Sequence, residues 1–269
     1  MKKITFLASI ISLFVGAFIF MAFSFSEGHP NVNVVMLGDS NTWLGGDNCD
    51  KSKGWNKWFK DKYAPATCKS YARSGATWTN TNVTKRNLVE NTGSISNDNV
   101  IYNQVLRLKD AVSKGSQPIP HIIIISAGTN DAWFKDKRPG LYSKSVDEVF
   151  MDNSFSTQKN VNLVTSLAES LRYNLAILNE AFPNCKIVLL TPMQSTSVNN
   201  SEIFKVSDII EKCADRMNVK VIRLDKDSCV KRENEMRTKK YTYDGTHTSE
   251  LGAKNNGYLV ADRISKMFF

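Results

Sequence analysis

His121-Ile122-Ile123-Ile124-Ile125-Ser126 runs directly into Ala127-Gly128-Thr129-Asn130-Asp131, and this stretch decides the fold. Four consecutive isoleucines leave no polar face, so residues 121–126 are predicted to form a strand covered on both sides, as in a parallel sheet. Similar short apolar runs occur at residues 32–37, ending at Gly38, at 186–191, ending before Pro192, and at 219–224, ending before Asp225. Residues 67–72 are a weaker fifth candidate. Between these runs lie helical patterns: Trp55, Trp58 and Phe59; then Ile101, Val105, Leu108 and Val112; then residues 161–182, 203–217 and 251–267. Strands alternating with helices imply βαβ units, hence an α/β fold with a mostly parallel sheet between two helical layers. In such sheets ligands gather at the carboxyl ends of the strands, so the loop after each strand is where chemistry is expected.

The 269 residues are 42% hydrophobic and 23% charged, with 14 Gly and 7 Pro, a balance that excludes a disordered, collagen-like or polytopic membrane protein. With no internal repeat and no linker, residues 27–269 are expected to form one domain. Met1-Lys2-Lys3 followed by an uncharged apolar stretch to Phe25 has the pattern of a secretory signal, so residues 1–26 are set apart from the fold. The stretch approaches the roughly 20 residues that span a bilayer, which makes an uncleaved anchor the alternative. Either form exports the domain to the periplasm or the extracellular space, with Lys2 and Lys3 on the cytoplasmic side. A membrane partner is expected only if this segment is retained, and the oligomeric state is left open.

The 35 basic residues outnumber the 26 acidic ones, giving a formal charge of +9. They are scattered, however, and the densest run, residues 231–240, interleaves its basic residues with Glu233 and Glu235, as on a solvated helix face. Nucleic acid is therefore not an expected partner. Cys49, Cys68, Cys185, Cys213 and Cys229 permit disulfides in an exported chain, but an odd count leaves at least one unpaired and spacing alone assigns none. No CxxC motif or Cys/His cluster suggests zinc, and Asp47 and Asp50 beside Gly45-Gly46 lack the alternating oxygen ligands of a calcium loop. No cofactor or metal is expected.

The loops supply four features in order. Gly38-Asp39-Ser40-Asn41 follows the first strand, where a serine at a tight strand-to-helix turn presents its hydroxyl above the sheet. Ser74-Gly75 follows the second candidate strand, and Gly128-Thr129-Asn130-Asp131 follows the isoleucine strand. The N–H groups of Ser40 and Gly75 and the amide of Asn130 are candidate oxyanion donors. A serine nucleophile needs a base, and the chain has three histidines. His29 falls in the expected N-terminal tail and His121 opens a strand whose start is expected at the far edge of the sheet, away from the carboxyl ends, which leaves His247. It ends Tyr243-Asp244-Gly245-Thr246-His247, where Asp244 is spaced to hold the imidazole in one tautomer. Asp131 is assigned a structural role in its loop.

In these four features the sequence resembles the SGNH hydrolases, the GDSL-type esterase and lipase superfamily. Ser40 matches the nucleophile block, Gly75 and Asn130 the two oxyanion blocks, and Asp244 with His247 the last block. The resemblance implies a three-layer, flavodoxin-like sandwich with about five parallel strands and metal-free ester hydrolysis. Asn41 replaces the leucine of the GDSL name, a variation similar to carbohydrate-esterase branches and expected to leave the nucleophile untouched. Trp43, Trp78 and Trp133 each follow a proposed site residue by three positions, and at least one is expected to rim the cleft as a platform for a sugar or acyl chain. The expected activity is removal of a short acyl group from a carbohydrate or another small ester. A lipase or lysophospholipase and a non-catalytic glycan-binding module are the competing expectations.

Overall fold

The computed structural model describes residues 28–89 and 94–268. The expected signal or anchor at residues 1–26 lies outside them. Five strands, β1 (His29–Gly38), β2 (Pro65–Ser70), β3 (Ile122–Ser126), β4 (Lys186–Leu190) and β5 (Lys220–Ile222), form one sheet in the order β2-β1-β3-β4-β5. Every pairing is parallel, and β3 sits in register between β1 and β4, with Ile124 opposite Met36 and Val188. The helices are α1 (Ser40–Trp43), α2 (Trp55–Tyr63), α3 (Ile101–Ser113), α4 (Thr129–Trp133) and α5 (Val146–Met151). They continue as α6 (Leu167–Ala181), α7 (Asn200–Arg216), α8 (Leu224–Asp227), α9 (Arg232–Arg237) and α10 (Glu250–Phe268).

Alternation along the strands divides the core in two. Val35, Leu37, Ile123, Ile125, Ile187 and Leu189 point to the face covered by α3, α6 and α7. Val34, Met36, Ile122, Ile124, Val188 and Leu190 point to the face covered by α2 and α10. Both faces of β3 are thus dry, which is why its sequence carries four consecutive isoleucines instead of alternating with polar residues. The result is the expected three-layer α/β sandwich.

Local signals explain where the structure departs from the periodicity. The helix expected over residues 161–182 is split: a short 3-10 turn covers Val161–Leu163, and α6 begins only at Leu167. Ser166 and Glu169 form a capping box there, each side chain accepting from the other's backbone N–H, and this sets a new helix start. The weak fifth strand candidate is real but sits earlier, at Pro65–Ser70. His29 is not in a loose tail; it opens β1 and its ring stacks on Tyr63 at 4.1 Å. Among the described residues, no helix is long and apolar enough to cross a membrane.

After β1 the chain turns to one side to make β2, then returns to the other side of β1 to make β3. The connections leaving β1 and β3 therefore diverge, opening a crevice at their carboxyl ends. Gly38 and Ser126, the last residues of these two strands, are directly paired at its floor.

Candidate active site

Ser40 is the first residue of α1, immediately beyond β1. The turn is tight because Gly38 packs against β3: a Cβ there would lie 2.3 Å from the carbonyl oxygen of Ser126. Both backbone groups of Gly38 are held by one buried side chain of α3, since its N–H donates to Gln104 Oε1 and its carbonyl accepts from Gln104 Nε2, each at 2.8 Å. Asp39 caps α1 by accepting the Asn41 N–H at 3.1 Å. Burial pushes the Asp39 carboxyl up to about 6, against the pull of its hydrogen bonds from Asn41 and Thr129 and the nearby His247.

The loop entering α10 brings its side chains to this turn. His247 Nε2 lies 2.9 Å from Ser40 Oγ, and His247 Nδ1 lies 2.6 Å from Asp244 Oδ2. Asp244 Oδ1 accepts the N–H groups of Thr246 and His247 at 2.9 and 2.7 Å. Partial burial pulls the Asp244 carboxyl upward, but the hydrogen bonds from the His247 backbone and ring and from Thr246 hold it below its ordinary value. With Asp244 ionised, Nδ1 carries the proton and Nε2 is free to accept one from the serine. The Tyr243 ring stacks on the imidazole with centroids 5.8 Å apart, and Lys53 Nζ lies 5.1 Å from the centre of the Tyr243 ring.

Three expected oxyanion donors border the same crevice. Ser40 N–H belongs to the first turn of α1, which has no intrahelical acceptor. Gly75 follows β2 with φ of +79°, and a Cβ there would lie 2.5 Å from the backbone of Ser94 and Ile95, so no larger residue fits. Asn130 is buried in α4, and its Nδ2 donates to Ala76 O at 2.9 Å, tying it to the residue after Gly75 and leaving that nitrogen's second hydrogen for a ligand. Asp131, buried beside it, accepts the N–H groups of Trp78 and Thr79 at 3.0 and 2.9 Å. Burial raises its carboxyl, opposed by those bonds and by Arg138.

One expectation about the aromatic residues needs correction. Trp78 does not rim the cleft: it has no exposed surface, belongs to the core cluster on the α3 side, and donates its indole N–H to Ala127 O at 3.2 Å. The bond from Asp131 to its backbone turns the segment inward. Trp43 and Trp133 are 38% and 37% exposed. Trp43 borders a cavity of about 500 Å³ lined also by Leu44, Gly46, Asp47, Lys51 and Lys53, and Trp133 stacks on Phe134.

Sequence reasoning missed the residues that hold the histidine loop. Asn41, expected only as a neutral replacement for leucine, bridges the nucleophile turn to that loop: Thr248 N–H donates to its Oδ1 at 3.2 Å and its Nδ2 reaches Thr246 O at 3.4 Å. The charged run at residues 231–240 is not simply a solvated face. Glu235 is fully buried and accepts Tyr241 N–H at 3.0 Å, Thr242 N–H at 2.9 Å and the Thr242 hydroxyl at 2.5 Å. Arg232 donates through Nη1 to the carbonyls of Ser195, Thr196 and Val198, and Thr196 in turn donates to Gly245 O. In sequence these side chains are indistinguishable from the exposed charges beside them. Among the described residues, no group of three or more His, Cys, Asp or Glu side chains is placed to hold a metal ion, and Asp47 pairs with Arg73 at 2.9 Å.

Comparison with known proteins adds family evidence to this geometry. The family model described as GDSL-like Lipase/Acylhydrolase matches residues 34–259. Solved structures with the same fold include an acetyl xylan esterase, 18% identical, with a TM-score of 0.53 over 88% of this chain and 100% of that one. A lipase/acylhydrolase from Enterococcus faecalis is also 18% identical, with a TM-score of 0.51 over 88% of this chain and 97% of its own. A protein from Lactobacillus plantarum, 14% identical, reaches a TM-score of 0.58 over 89% and 99%. No curated protein matches the chain.

Proposed function

The chain belongs to the GDSL-like lipase/acylhydrolase family, a family of ester hydrolases, and from that premise we propose that it is an exported serine esterase that removes short acyl groups, acetyl above all, from carbohydrate. The observation that carries the reading is the continuous relay from Asp244 Oδ2 through the imidazole to Ser40 Oγ, with steps of 2.6 and 2.9 Å. Both lie within the reach required for proton transfer.

In this mechanism His247 Nε2 takes the Ser40 proton as Oγ attacks the ester carbonyl. The carbonyl oxygen becomes an oxyanion held by Ser40 N–H, Gly75 N–H and the Asn130 amide, each such donor contributing on the order of 3 kcal/mol to the transition state. Asp244 stabilises the imidazolium. As the tetrahedral intermediate collapses, the C–O bond to the alcohol breaks and His247 protonates the leaving oxygen. A water deprotonated by His247 then attacks the acyl-serine, and the proton returns to Ser40 Oγ as the acid departs.

Export is supported by the apolar segment behind Lys2 and Lys3. The carbohydrate preference is supported by the exposed rings of Trp43 and Trp133 and by the likeness to an acetyl xylan esterase. Hydrolysis of p-nitrophenyl acetate, butyrate and octanoate, with Ser40→Ala alongside, tests the reading. Activity greatest on acetate and lost in the variant is expected. Preference for octanoate would move the assignment to lipids, and glycan binding without Ser40-dependent turnover would leave a binding module.

A further inference from the structure

Two of the five cysteines lie on adjoining segments, the turn after α1 and strand β2. Ser70 N–H donates to Asp47 O at 2.9 Å, and Lys69 Nζ reaches Asn48 Oδ1 at 2.6 Å. Cys49 and Cys68 are the next residues along the two segments, both buried, and the Cys68 thiol is set against the Cys49 side chain. Both are buried in the core cluster beneath α2 and α10, beside Trp55, Phe59 and Tyr63. Cys49 also holds a left-handed backbone conformation, φ +54°, a conformation that disfavours any side chain with a Cβ and is usually left to glycine or asparagine. The other three cysteines are engaged elsewhere: Cys213 lies in the core on the opposite face of the sheet, Cys185 packs against that core, and the Cys229 thiol faces Gly252 O and Asn256 Oδ1.

We propose that Cys49 and Cys68 are joined by a disulfide when the chain folds under oxidising conditions, with Cys185, Cys213 and Cys229 remaining thiols. The pairing is independent of the esterase assignment, but it acts on the same region. The segment from Leu44 to Gly54 borders the cavity beside Trp43, and the carbonyl of Lys53 accepts the Thr248 hydroxyl at 2.8 Å, next to His247. A bond from Cys49 to β2 would anchor this wall of the site to the sheet.

The oxidant is a small disulfide such as oxidised glutathione. One cysteine thiolate attacks it, expelling one glutathione and forming a mixed disulfide; the second cysteine thiolate then displaces the other glutathione. Two electrons pass to the oxidant, and the two thiol protons end on the two glutathione thiols. In the folded protein this is slow, because both sulfurs are buried and the hydrogen bond to Cys49, together with burial, raises the Cys68 thiol well above its ordinary value. Pairing therefore accompanies folding.

The full chain synthesised and folded cell-free under a glutathione redox couple, or under dithiothreitol, tests this. Each sample is denatured, alkylated and digested without reduction. The glutathione sample is expected to lose two hydrogens, to give one peptide pair linking Cys49 to Cys68, and to carry alkyl groups on the other three cysteines. Its Tm should exceed that of the reduced protein by about 5–10 °C, as for closure of a loop of roughly 20 residues. Five alkylated cysteines under glutathione, or linkage of either residue to a different cysteine, would overturn the proposal. Cys49→Ser also exchanges the sulfur that accepts from Asn56 Nδ2, so Cys68→Ser is the deciding variant, and a redox-dependent Tm shift that persists in it would equally overturn the pairing.

Discussion

Truncating Glu235 is expected to impair turnover although this side chain lies outside the Ser40, His247 and Asp244 relay. Its carboxylate receives three hydrogen bonds from Tyr241 and Thr242, and the Thr242 hydroxyl oxygen in turn accepts Gly245 N–H at 3.1 Å, between Asp244 and His247. Thr242 is completely buried whereas Tyr241 is half-buried, so in Glu235→Ala water can replace the acceptor for Tyr241 but not readily the two for Thr242. At about 1–3 kcal/mol for each stranded donor, the variant should lose about 2–6 kcal/mol of stability, or about 5–20 °C in Tm. Glu235→Gln retains one acceptor oxygen and sets an amide donor against the other N–H, so roughly half that loss is expected. The loop relaxes by moving its donors toward water, and a displacement of His247 by about 1 Å costs on the order of 100-fold in kcat. Steady-state kinetics on p-nitrophenyl acetate, at a temperature where urea titration shows each variant folded, should give reduced kcat with KM little changed and Gln between Ala and wild type. Wild-type kcat in both folded variants would refute the reasoning and transfer control of the loop to Asn41 and Arg232.

Asn41→Leu, which installs the GDSL leucine, should remove both bonds to the histidine loop and lower kcat about 10-fold, with a stability loss of about 1–3 kcal/mol because Thr248 N–H is buried; unchanged kcat would show the bridge to be dispensable. Asp39 has a folded value near 6 against an ordinary 3.8, so it binds a proton more tightly in the folded than in the unfolded chain. Its contribution is fully present below about pH 4 and is lost as pH rises to about 6, a difference on the order of 3 kcal/mol. Urea titrations of wild type and Asp39→Asn across that range should show a wild-type-specific fall, and parallel curves would count against it. Trp78→Ala should cost about 3–5 kcal/mol as a core truncation, whereas Trp43→Ala and Trp133→Ala should retain wild-type Tm and raise KM on an acetylated oligosaccharide in at least one case. Equal KM in both would remove the platform role.

The sheet was legible in the sequence because its signal is local: uninterrupted apolar runs such as Ile122–Ile125, each stopped by a turn residue. The order of Ser40, Gly75, Asn130 and His247 was legible for the same reason, since each follows a strand or precedes the last helix. Trp78 defeats that logic. It shares the spacing of Trp43 and Trp133, but its direction is set by Asp131, more than 50 residues away, which grips its backbone N–H. The break before α6 was visible in Ser166 and Glu169, but the apolar period running through it from Val161 outweighed the capping signal.

A shared device explains why the rest was hidden. Asp131 accepts the N–H groups of Trp78 and Thr79, Glu235 those of Tyr241 and Thr242, and Asp244 those of Thr246 and His247. Each carboxylate thus holds two consecutive peptides of a loop within a few residues of Gly75 or His247. A loop there has no ladder to satisfy its donors, and a neutral acceptor would bind them more weakly than a charged one. The device costs desolvation, and the cost varies with depth: Asp131, wholly buried, has its carboxyl raised despite its bonds, whereas the more exposed Asp244 has its carboxyl lowered by them. That difference matches the two positions. A buried clamp needs only to hold its loop, but in the proposed mechanism the partner of an imidazolium must stay ionised throughout the cycle, and partial exposure favours that state. In sequence an inward carboxylate looks like any acidic surface residue, because only the folded loop shows which donors converge on it.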